Sequence, residues 1–325
     1  MDNHTHVTEF LILGFSEFPK LQLPLFTVFS LLYLMAVMGN LLVIWTVCAD
    51  RHLHIPMYIF LANLSVLDIA SLTVTVPKLL AILLTQSNTI SFTECIVQMY
   101  CFVSSFEIEF SLLTIMAYDR YVAICNPLRY TIIINKRVCT LLAAASWITG
   151  LLETIPHTIV TSLFPFCDSN VINHIFCELT ALLKLSCRDT SVIQIMNFAE
   201  GVFAVFAPFI LTLTSYVFII STILKIRSKE GKIKAFSTCS SHFTVIILLY
   251  GTIMGVYMQP KSGDLEKPNK LPFAFYIFGL PLLNPLIYSL RSKELNVALK
   301  KFLKKKLIFQ SLNILRSPNQ IKTKR

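Results

Sequence analysis

The sequence predicts an all-α membrane protein, a bundle of seven transmembrane helices followed by a short amphipathic eighth helix. Three observations support this fold class: 55% of the 325 residues are hydrophobic, only 14% are charged, and the mean hydropathy is +0.67. Soluble domains carry about 25% charged residues. The net charge of +10 could indicate nucleic-acid binding, but long uncharged stretches separate the basic residues, so basic loops beside a membrane explain it better.

Seven apolar stretches are long enough to cross a bilayer. The first, 21–49, contains no charged residue, and about 20 residues suffice for a helix to cross the hydrocarbon core. This stretch is too long for the core of a cleaved signal peptide, so we expect it to act as its own signal anchor. The other stretches lie near residues 57–84, 96–125, 138–162, 192–225, 235–258 and 271–290.

Lysine and arginine predict the orientation of the bundle. Of the 28 basic residues, 21 fall in the segments 49–56, 118–138, 225–234 and 291–325, which share one side, and six fall on the other. The positive-inside rule therefore places residues 1–23 outside the cell, the bundle at 24–290, and the tail 291–325 in the cytoplasm.

The tail begins as an amphipathic helix that we expect on the cytoplasmic leaflet. Its apolar residues are Leu295, Leu299, Phe302 and Leu303.

Two further features fit an external N-terminus. Asn3 begins an Asn-His-Thr acceptor for N-glycosylation. Four of the nine cysteines lie in or beside the external segments, where disulfides persist, and four cysteines allow three pairings, among which the sequence alone does not choose. These are Cys95, Cys167, Cys177 and Cys187.

The familiar enzyme signatures are missing from the sequence. It contains no GxGxxG, GxxxxGK[ST], HExxH or GxSxG motif. The chain is therefore expected to be no enzyme but a receptor, channel or transporter. It shows no internal repeat, which disfavours a duplicated transporter.

Ionisable residues at membrane depth are candidates for function. Asp68 lies in the second stretch and Glu109 in the third, and we expect both to face the bundle centre with Asn40 and Asn284 nearby. Such a pair could share a proton, bind Na⁺ through its oxygens, or form a water-bridged structural network. Glu107 points about 200° away from Glu109 on the helix and cannot share its environment.

Three more polar residues lie in the fourth and fifth stretches. Glu153 and His157 are four residues apart, a spacing that favours local pairing or placement at the membrane interface. Glu200 lies in the fifth stretch. The alternative is that these side chains are polar contacts in a ligand cavity.

Four motifs give the chain its family resemblance. They are LHIPMY (Leu53–Tyr58), MAYDRYVAICNPLRY (Met116–Tyr130), KAFSTCSSH (Lys234–His242) and PLLNPLIYSLRSKE (Pro281–Glu294). With them, the chain resembles the odorant receptors, a family of rhodopsin-like G-protein-coupled receptors, over residues 10–303. The resemblance implies plasma-membrane localisation and disulfides pairing Cys95 with Cys177 and Cys167 with Cys187.

The resemblance also implies an activation switch. In it Asp119 holds Arg120 by a charge-assisted hydrogen bond, and activation frees Arg120 as the cytoplasmic end of the sixth span swings out to admit a G protein. Pro285 removes a backbone hydrogen bond in the seventh span and makes it deformable there. The implied switch residues are Asp119, Arg120, Tyr216, Tyr250, Asn284, Pro285 and Tyr288.

An apolar stripe on the third span lies at the depth where this receptor class binds ligands. Amine receptors of the class carry Asp where this chain has Phe102, so we expect small, mostly hydrophobic ligands. The expected ligand-binding residues, which include the polar candidates Glu107 and Glu200, are Phe102, Val103, Phe106, Glu107, Phe110, Glu200, Ala204, Ile253, Met254, Tyr257, Ala274 and Ile277.

The implied function is reception of a small-molecule odorant, coupled through a stimulatory heterotrimeric G protein to cyclic AMP. A non-olfactory chemoreceptor of the same class is the first alternative, and a channel or transporter is the second. No cofactor other than a bound Na⁺ and no nucleic-acid partner is expected. His174, Cys177 and Glu178 have a spacing that could suit a transition metal, but a disulfide-bonded Cys177 has no thiolate to offer.

Overall fold

The computed structural model describes residues 7–166, 169–257, 270–291 and 295–298. Within these residues, six helices are long and apolar enough to cross a membrane, and a seventh span results when the bent pair Lys229–Ser237 and Cys239–Gly255 counts as one. The predicted helical bundle of membrane spans is therefore present.

The spans follow the predicted stretches closely. We label them α1 (Gln22–Ala49), α2 (Pro56–Thr85), α3 (Phe92–Cys125), α4 (Lys136–Ser162), α5 (Ser191–Lys225), α6 (Lys229–Tyr257) and α7, which begins at Lys270 and ends at Arg291. Short helices Tyr130–Ile133 and Leu179–Leu183 lie in the connections after α3 and α4.

Local sequence explains where several spans begin. Ser91 precedes α3, and its Oγ accepts a hydrogen bond from the Glu94 N–H at 3.2 Å while the Glu94 carboxylate accepts one from the Ser91 N–H at 3.1 Å. This capping box satisfies two backbone donors that the helix start leaves free. Asn135 caps α4 in a similar way through the N–H of Val138.

Two spans contain π-helical segments, Gly201–Phe206 in α5 and Phe275–Gly279 in α7. A π-helical segment adds a residue to one turn and shifts the faces of the helix around it. The residues after each segment therefore point in directions that a regular helical periodicity does not predict.

A small sheet covers one end of the bundle, although the sequence predicted an all-α protein. Strand β1 (Glu9–Ile12) lies between β2 (Thr89–Ser91), which is antiparallel to it, and β3 (Val171–Ile172), which is parallel to it. Phe10 and Ile12 of β1 are fully buried. The sheet joins the N-terminal segment to the connections that follow α2 and α4.

Helix α3 is the central helix and packs against α2, α4, α5 and α6. The outer faces of the other spans carry exposed apolar side chains, including Trp45 on α1 and Phe198 and Phe203 on α5. Such exposure is expected of a surface whose solvent is lipid.

Gly150 of α4 lies where α4 crosses α3. A Cβ atom there would lie 2.6 Å from Ile108 Cγ1 and 3.2 Å from both the Ile108 backbone nitrogen and the Ser104 carbonyl oxygen. Because the two closest backbone atoms belong to a rigid helix, a larger residue must push the two helices apart.

We expect Gly150→Ala to lower the stability of the purified protein by about 1–3 kcal/mol, the usual cost of overpacking. Thermal unfolding in detergent measures the change. Gly251→Ala is the matched control, since no atom lies within 4 Å of a Cβ atom at Gly251. Equal melting temperatures for both variants would contradict the close packing of α3 on α4.

Candidate ligand-binding and switch sites

A polar site lies between α2, α3 and α7. It surrounds a cavity of about 10 Å³, close to the space that one water molecule or ion needs, lined by Leu67, Asp68, Ser71, Ser105, Glu109, Tyr276 and Pro281. The Asn284 amide donates a hydrogen bond to Asp68 Oδ2 at 3.1 Å, and the Tyr276 hydroxyl donates one to Glu109 Oε2 at 2.8 Å. We call Asp68, Glu109, Tyr276 and Asn284 the central polar site.

Asp68 and Glu109 line the cavity, and Asn284 and Asn40 each donate a hydrogen bond to a residue that lines it. Asn40 donates to the Pro281 carbonyl oxygen at 2.8 Å. That oxygen lies four residues before Pro285, which has no N–H to donate to it, so Asn40 satisfies an acceptor that α7 leaves free. Tyr276 was missed because nothing in its local sequence marks it as a carboxylate partner.

The apolar stripe of α3 (Phe102, Val103, Phe106 and Phe110) faces the bundle interior. The Phe106 ring lies 4.8 Å from that of Phe110 and 5.6 Å from that of Tyr276, while Phe110 lies 5.2 Å from the Tyr250 ring. The stripe thus contacts both α6 and α7, which carry other expected ligand residues.

Residues 174–177, in the connection after α4, cover the stripe, and we call this segment the lid. The Phe176 ring lies 4.4 Å from Phe102 and 5.9 Å from Phe273 of α7. The adjacent Cys177 forms a disulfide with Cys95, the fourth residue of α3, which confirms this implied pairing and fixes the lid over the stripe. Nothing in the local sequence marks Phe176 or Phe273 as pocket residues, because their role depends on this tertiary contact.

The structure describes only one cysteine of the second disulfide. Cys187 is disulfide-bonded, and its N–H donates to the Pro165 carbonyl oxygen at 3.1 Å. Its predicted partner, Cys167, lies outside the described residues, as does the glycosylation candidate Asn3.

The other expected ligand residues fall into three groups. Ile277 is buried in the main core, and Ile253 and Ala274 are partly buried against it. Ala204 is half-buried within the π-helical segment of α5. Met254 is 53% exposed on the outside of α6 and does not join the others, and the side chain of Tyr257 lies outside the described part of the structure.

The polar residues of α3, α4 and α5 form an acidic cluster, which we define as Glu107, His157 and Glu200. His157 Nδ1 lies 3.1 Å from Glu200 Oε2. His157 therefore contacts a glutamate of α5 rather than Glu153, its neighbour on α4, so the expected local pairing is wrong. Glu153 is exposed.

At the opposite end of α3, Arg120 forms a buried ion pair with Asp119. The Arg120 guanidinium donates to Asp119 Oδ2 through Nε at 2.9 Å and also through its terminal nitrogen. The Tyr130 hydroxyl donates to the other oxygen, Asp119 Oδ1, at 2.8 Å. Asp119 is fully buried and accepts all three hydrogen bonds. It therefore holds the Arg120 guanidinium and the Tyr130 hydroxyl at this end of α3.

The remaining switch residues lie on α5, α6 and α7, and Tyr216 and Tyr288 are within electrostatic reach of Arg120. The Tyr216 hydroxyl of α5 lies 2.8 Å from His242 Nδ1 of α6, and both side chains are buried. The Tyr288 hydroxyl of α7 is buried without a hydrogen-bond partner among the described residues. Tyr250 packs against Phe209 of α5 at 4.8 Å. His242 was missed as a switch residue, although it ends a motif noted in the sequence.

Comparisons with known proteins agree on the family. A family model described as olfactory receptor matches residues 29–306. The chain is 46% identical over 304 residues to olfactory receptor 2A1/2A42 of Homo sapiens (94% of this chain, 98% of that protein). It is 44% identical over 305 residues to olfactory receptor 5AR1 of Mus musculus, again covering 94% and 98% of the two chains.

His174 lies within the lid and gives it a dependence on pH. Its ring lies edge-on to the rings of Phe176 and Phe273, at 4.7 and 4.5 Å. Burial, and then the positive charge of Lys270, lowers the pKa of His174 to about 4. The imidazole is therefore neutral at physiological pH. It stays neutral in mild acid, where an exposed histidine becomes protonated.

We expect acid to weaken the fold through this residue. The unfolded chain, with a His pKa near 6.5, binds more protons than the folded chain between about pH 6.5 and 4, so stability is lost as pH falls through that window. The loss is at most about 3 kcal/mol. Thermal unfolding of the purified protein at pH 7 and pH 4.5 measures it.

The variant His174→Gln should lose less stability on acidification than the unaltered protein. His52→Gln is the control, because the His52 side chain is 96% exposed and should leave the acid sensitivity unchanged. If His174→Gln and the unaltered protein lose the same stability, the lid histidine does not carry the effect.

Proposed function

The chain belongs to the olfactory receptor family, whose members are multi-pass proteins of the plasma membrane, and from this premise we propose its activity. It binds a small, mostly hydrophobic odorant between its spans and activates a stimulatory heterotrimeric G protein, which raises cyclic AMP. The observation that carries the proposal is the apolar stripe of α3, closed by Phe176 and lying on the same helix as the buried Asp119–Arg120 pair.

The orientation follows from charge and is part of the proposal. With the small sheet outside the cell, the positive-inside rule is obeyed, and the Cys95–Cys177 disulfide lies in the compartment where disulfides persist. An eighth helix is supported by residues 295–298, which are helical, with Leu295 and Ala298 packed into the main core. The other apolar residues expected on that helix, Leu299, Phe302 and Leu303, lie outside the described residues.

The ligand binds through the stripe and through α7. Phe102, Phe106 and Phe110 offer large apolar area with defined ring geometry. Tyr276 lies against two of these rings, at 5.7 Å from Phe102 and 5.6 Å from Phe106. A ligand that displaces either ring therefore acts on the residue that holds Glu109.

Activation breaks the contacts that close the other end of the bundle. The Asp119–Arg120 ion pair holds α3, and the Tyr216–His242 hydrogen bond joins α5 to α6. When α6 moves outward, Tyr216 loses His242, and Arg120 becomes available to the G protein. Tyr288, whose buried hydroxyl has no described partner, then turns inward to accompany Arg120.

Na⁺ fits the central polar site by the chemistry of its donors. Asp68 and Glu109 offer carboxylate oxygens, and Ser71 and Ser105 line the same cavity. Oxygen ligands of this kind suit hard cations, and a cation offsets the repulsion between two carboxylates buried in one cavity. When bound, Na⁺ would join α2 to α3 and favour the closed bundle.

Arg120→Ala should abolish odorant-stimulated cyclic AMP while the receptor still reaches the cell surface, because the variant removes the group that meets the G protein. Reporter cells that express an olfactory-type G protein and are screened with an odorant panel measure it, with surface labelling in parallel. Arg129→Ala, an exposed arginine of the following connection, should signal normally. Undiminished signalling by Arg120→Ala would refute the switch.

If Na⁺ binds the central polar site, agonist potency should change by about fivefold or more when Na⁺ is replaced by choline, the range of ordinary allosteric coupling. Glu109→Ala should remove that dependence, whereas Glu153→Gln, which alters an exposed carboxylate, should keep it. Receptor in isolated membranes with controlled salt is the appropriate sample. Equal agonist potency in Na⁺ and in choline for the unaltered receptor would contradict ion binding.

A further inference from the structure

The acidic cluster of Glu107, His157 and Glu200 joins three spans beside the apolar stripe. Glu107 on α3 and His157 on α4 are 5% and 6% exposed. Glu107 and Glu200 are within electrostatic contact of each other, and His157 lies against Glu200. Buried ionisable groups at this depth are costly unless each one has a partner.

As an ionised carboxylate, Glu107 lacks such a partner. Neither of its carboxylate oxygens receives a hydrogen bond from a donor among the described residues. The nearby Thr154 hydroxyl donates its hydrogen to the Gly150 carbonyl oxygen at 2.8 Å. The contact between the two glutamates is favourable only while one of them keeps its proton, because a protonated carboxyl donates its O–H to the other.

The charges of the cluster are also unbalanced. Two carboxylates face one imidazole, and the carboxylate of Glu153 adds to the negative potential at Glu107. Without a ligand, a proton held between the two glutamates offsets one negative charge; with both glutamates ionised, the cluster lacks at least one positive charge. A bound cationic group with N–H donors would supply both the charge and the missing hydrogen bonds.

The cluster lies within reach of a ligand on the stripe. Val103 and Phe110 are four residues before and three residues after Glu107, so they flank it on the same side of α3. Glu200 immediately precedes the π-helical segment of α5, and such segments frequently occur at functional sites. Asn197, one turn before Glu200, carries a buried side-chain oxygen that also has no partner among the described residues.

We propose that the acidic cluster binds the protonated nitrogen of a lipophilic amine whose apolar body lies on the stripe. The inference rests on the proposed function, since it gives the ligand class of the same bundle site. It narrows the expectation of a small, mostly hydrophobic ligand. Phe102 offers no counter-ion, and the proposed counter-ion is instead at Glu107 and Glu200, on the other flank of the stripe.

The test uses pairs of ligands that share a carbon skeleton: cyclohexylamine with cyclohexanol, and n-hexylamine with 1-hexanol. The full-length receptor is purified into lipid nanodiscs, and its melting temperature is measured against ligand concentration. We expect the amines to raise the melting temperature at concentrations at least about tenfold lower than the alcohols, as a charged hydrogen bond provides.

Glu107→Gln and Glu200→Gln should each remove the advantage of the amine and leave the response to the alcohol unchanged. Glu107→Asp keeps the charge and should restore part of the advantage, which a merely structural role would not do. Glu230→Gln, which removes an exposed acid at the start of α6, is the control and should bind amines as the unaltered receptor does. An amine that binds no better than its alcohol, or equally well to both glutamine variants, overturns the inference.

Cyclic AMP measured with the same ligands separates this inference from the proposed function. If amines bind through Glu107 but no ligand raises cyclic AMP, the inference stands and G-protein coupling fails. If neutral odorants raise cyclic AMP while amines neither bind nor signal, the inference is overturned and the proposed function stands.

Discussion

The structure depends on how α3 buries charge in a bundle that lipid surrounds. Lipid offers no hydrogen bond, so each ionisable side chain of α3 must be satisfied within the protein. Glu109 accepts a hydrogen bond from Tyr276 of α7, and Asp119 is held by Arg120 and Tyr130. These demands explain why α3 is the most enclosed span and why its neighbours carry the polar side chains that they do.

Helix α7 meets the same constraint in its backbone. Pro285 leaves the carbonyl oxygen of Pro281 without its helical donor, and Asn40 of α1 donates to it at 2.8 Å. The preceding residue, Gly39, allows this approach, because a Cβ atom there would lie 3.1 Å from the Pro285 ring. The Gly39-Asn40 pair in α1 and Pro285 in α7 are therefore one structural unit, although 241 residues separate Asn40 from Pro281.

Most of what the sequence predicted was local, and most of what it missed was tertiary. The spans, the Asp119–Arg120 pair and the carboxylates Asp68 and Glu109 follow from hydropathy and motifs within single helices. Phe176 and Tyr276 gain their roles only from the fold: a disulfide carries Phe176 onto α3, and Tyr276 lies in a π-helical segment. The pairing of His157 with Glu200 was missed because helical spacing reports neighbours on one helix and not across two.

The two sets of buried carboxylates differ in one respect that bears on their roles. At the central polar site, Tyr276 and Asn284 each donate a hydrogen bond to a carboxylate, so α7 already satisfies much of the charge and its position depends on that site. At the acidic cluster, the oxygens of Glu107 have no described donor. The first set is therefore engaged with α7, and the second is the one that the proposed amine would satisfy. The stripe lies between them, and its rings contact Tyr276, so a ligand held by the cluster would press on the residue that anchors Glu109.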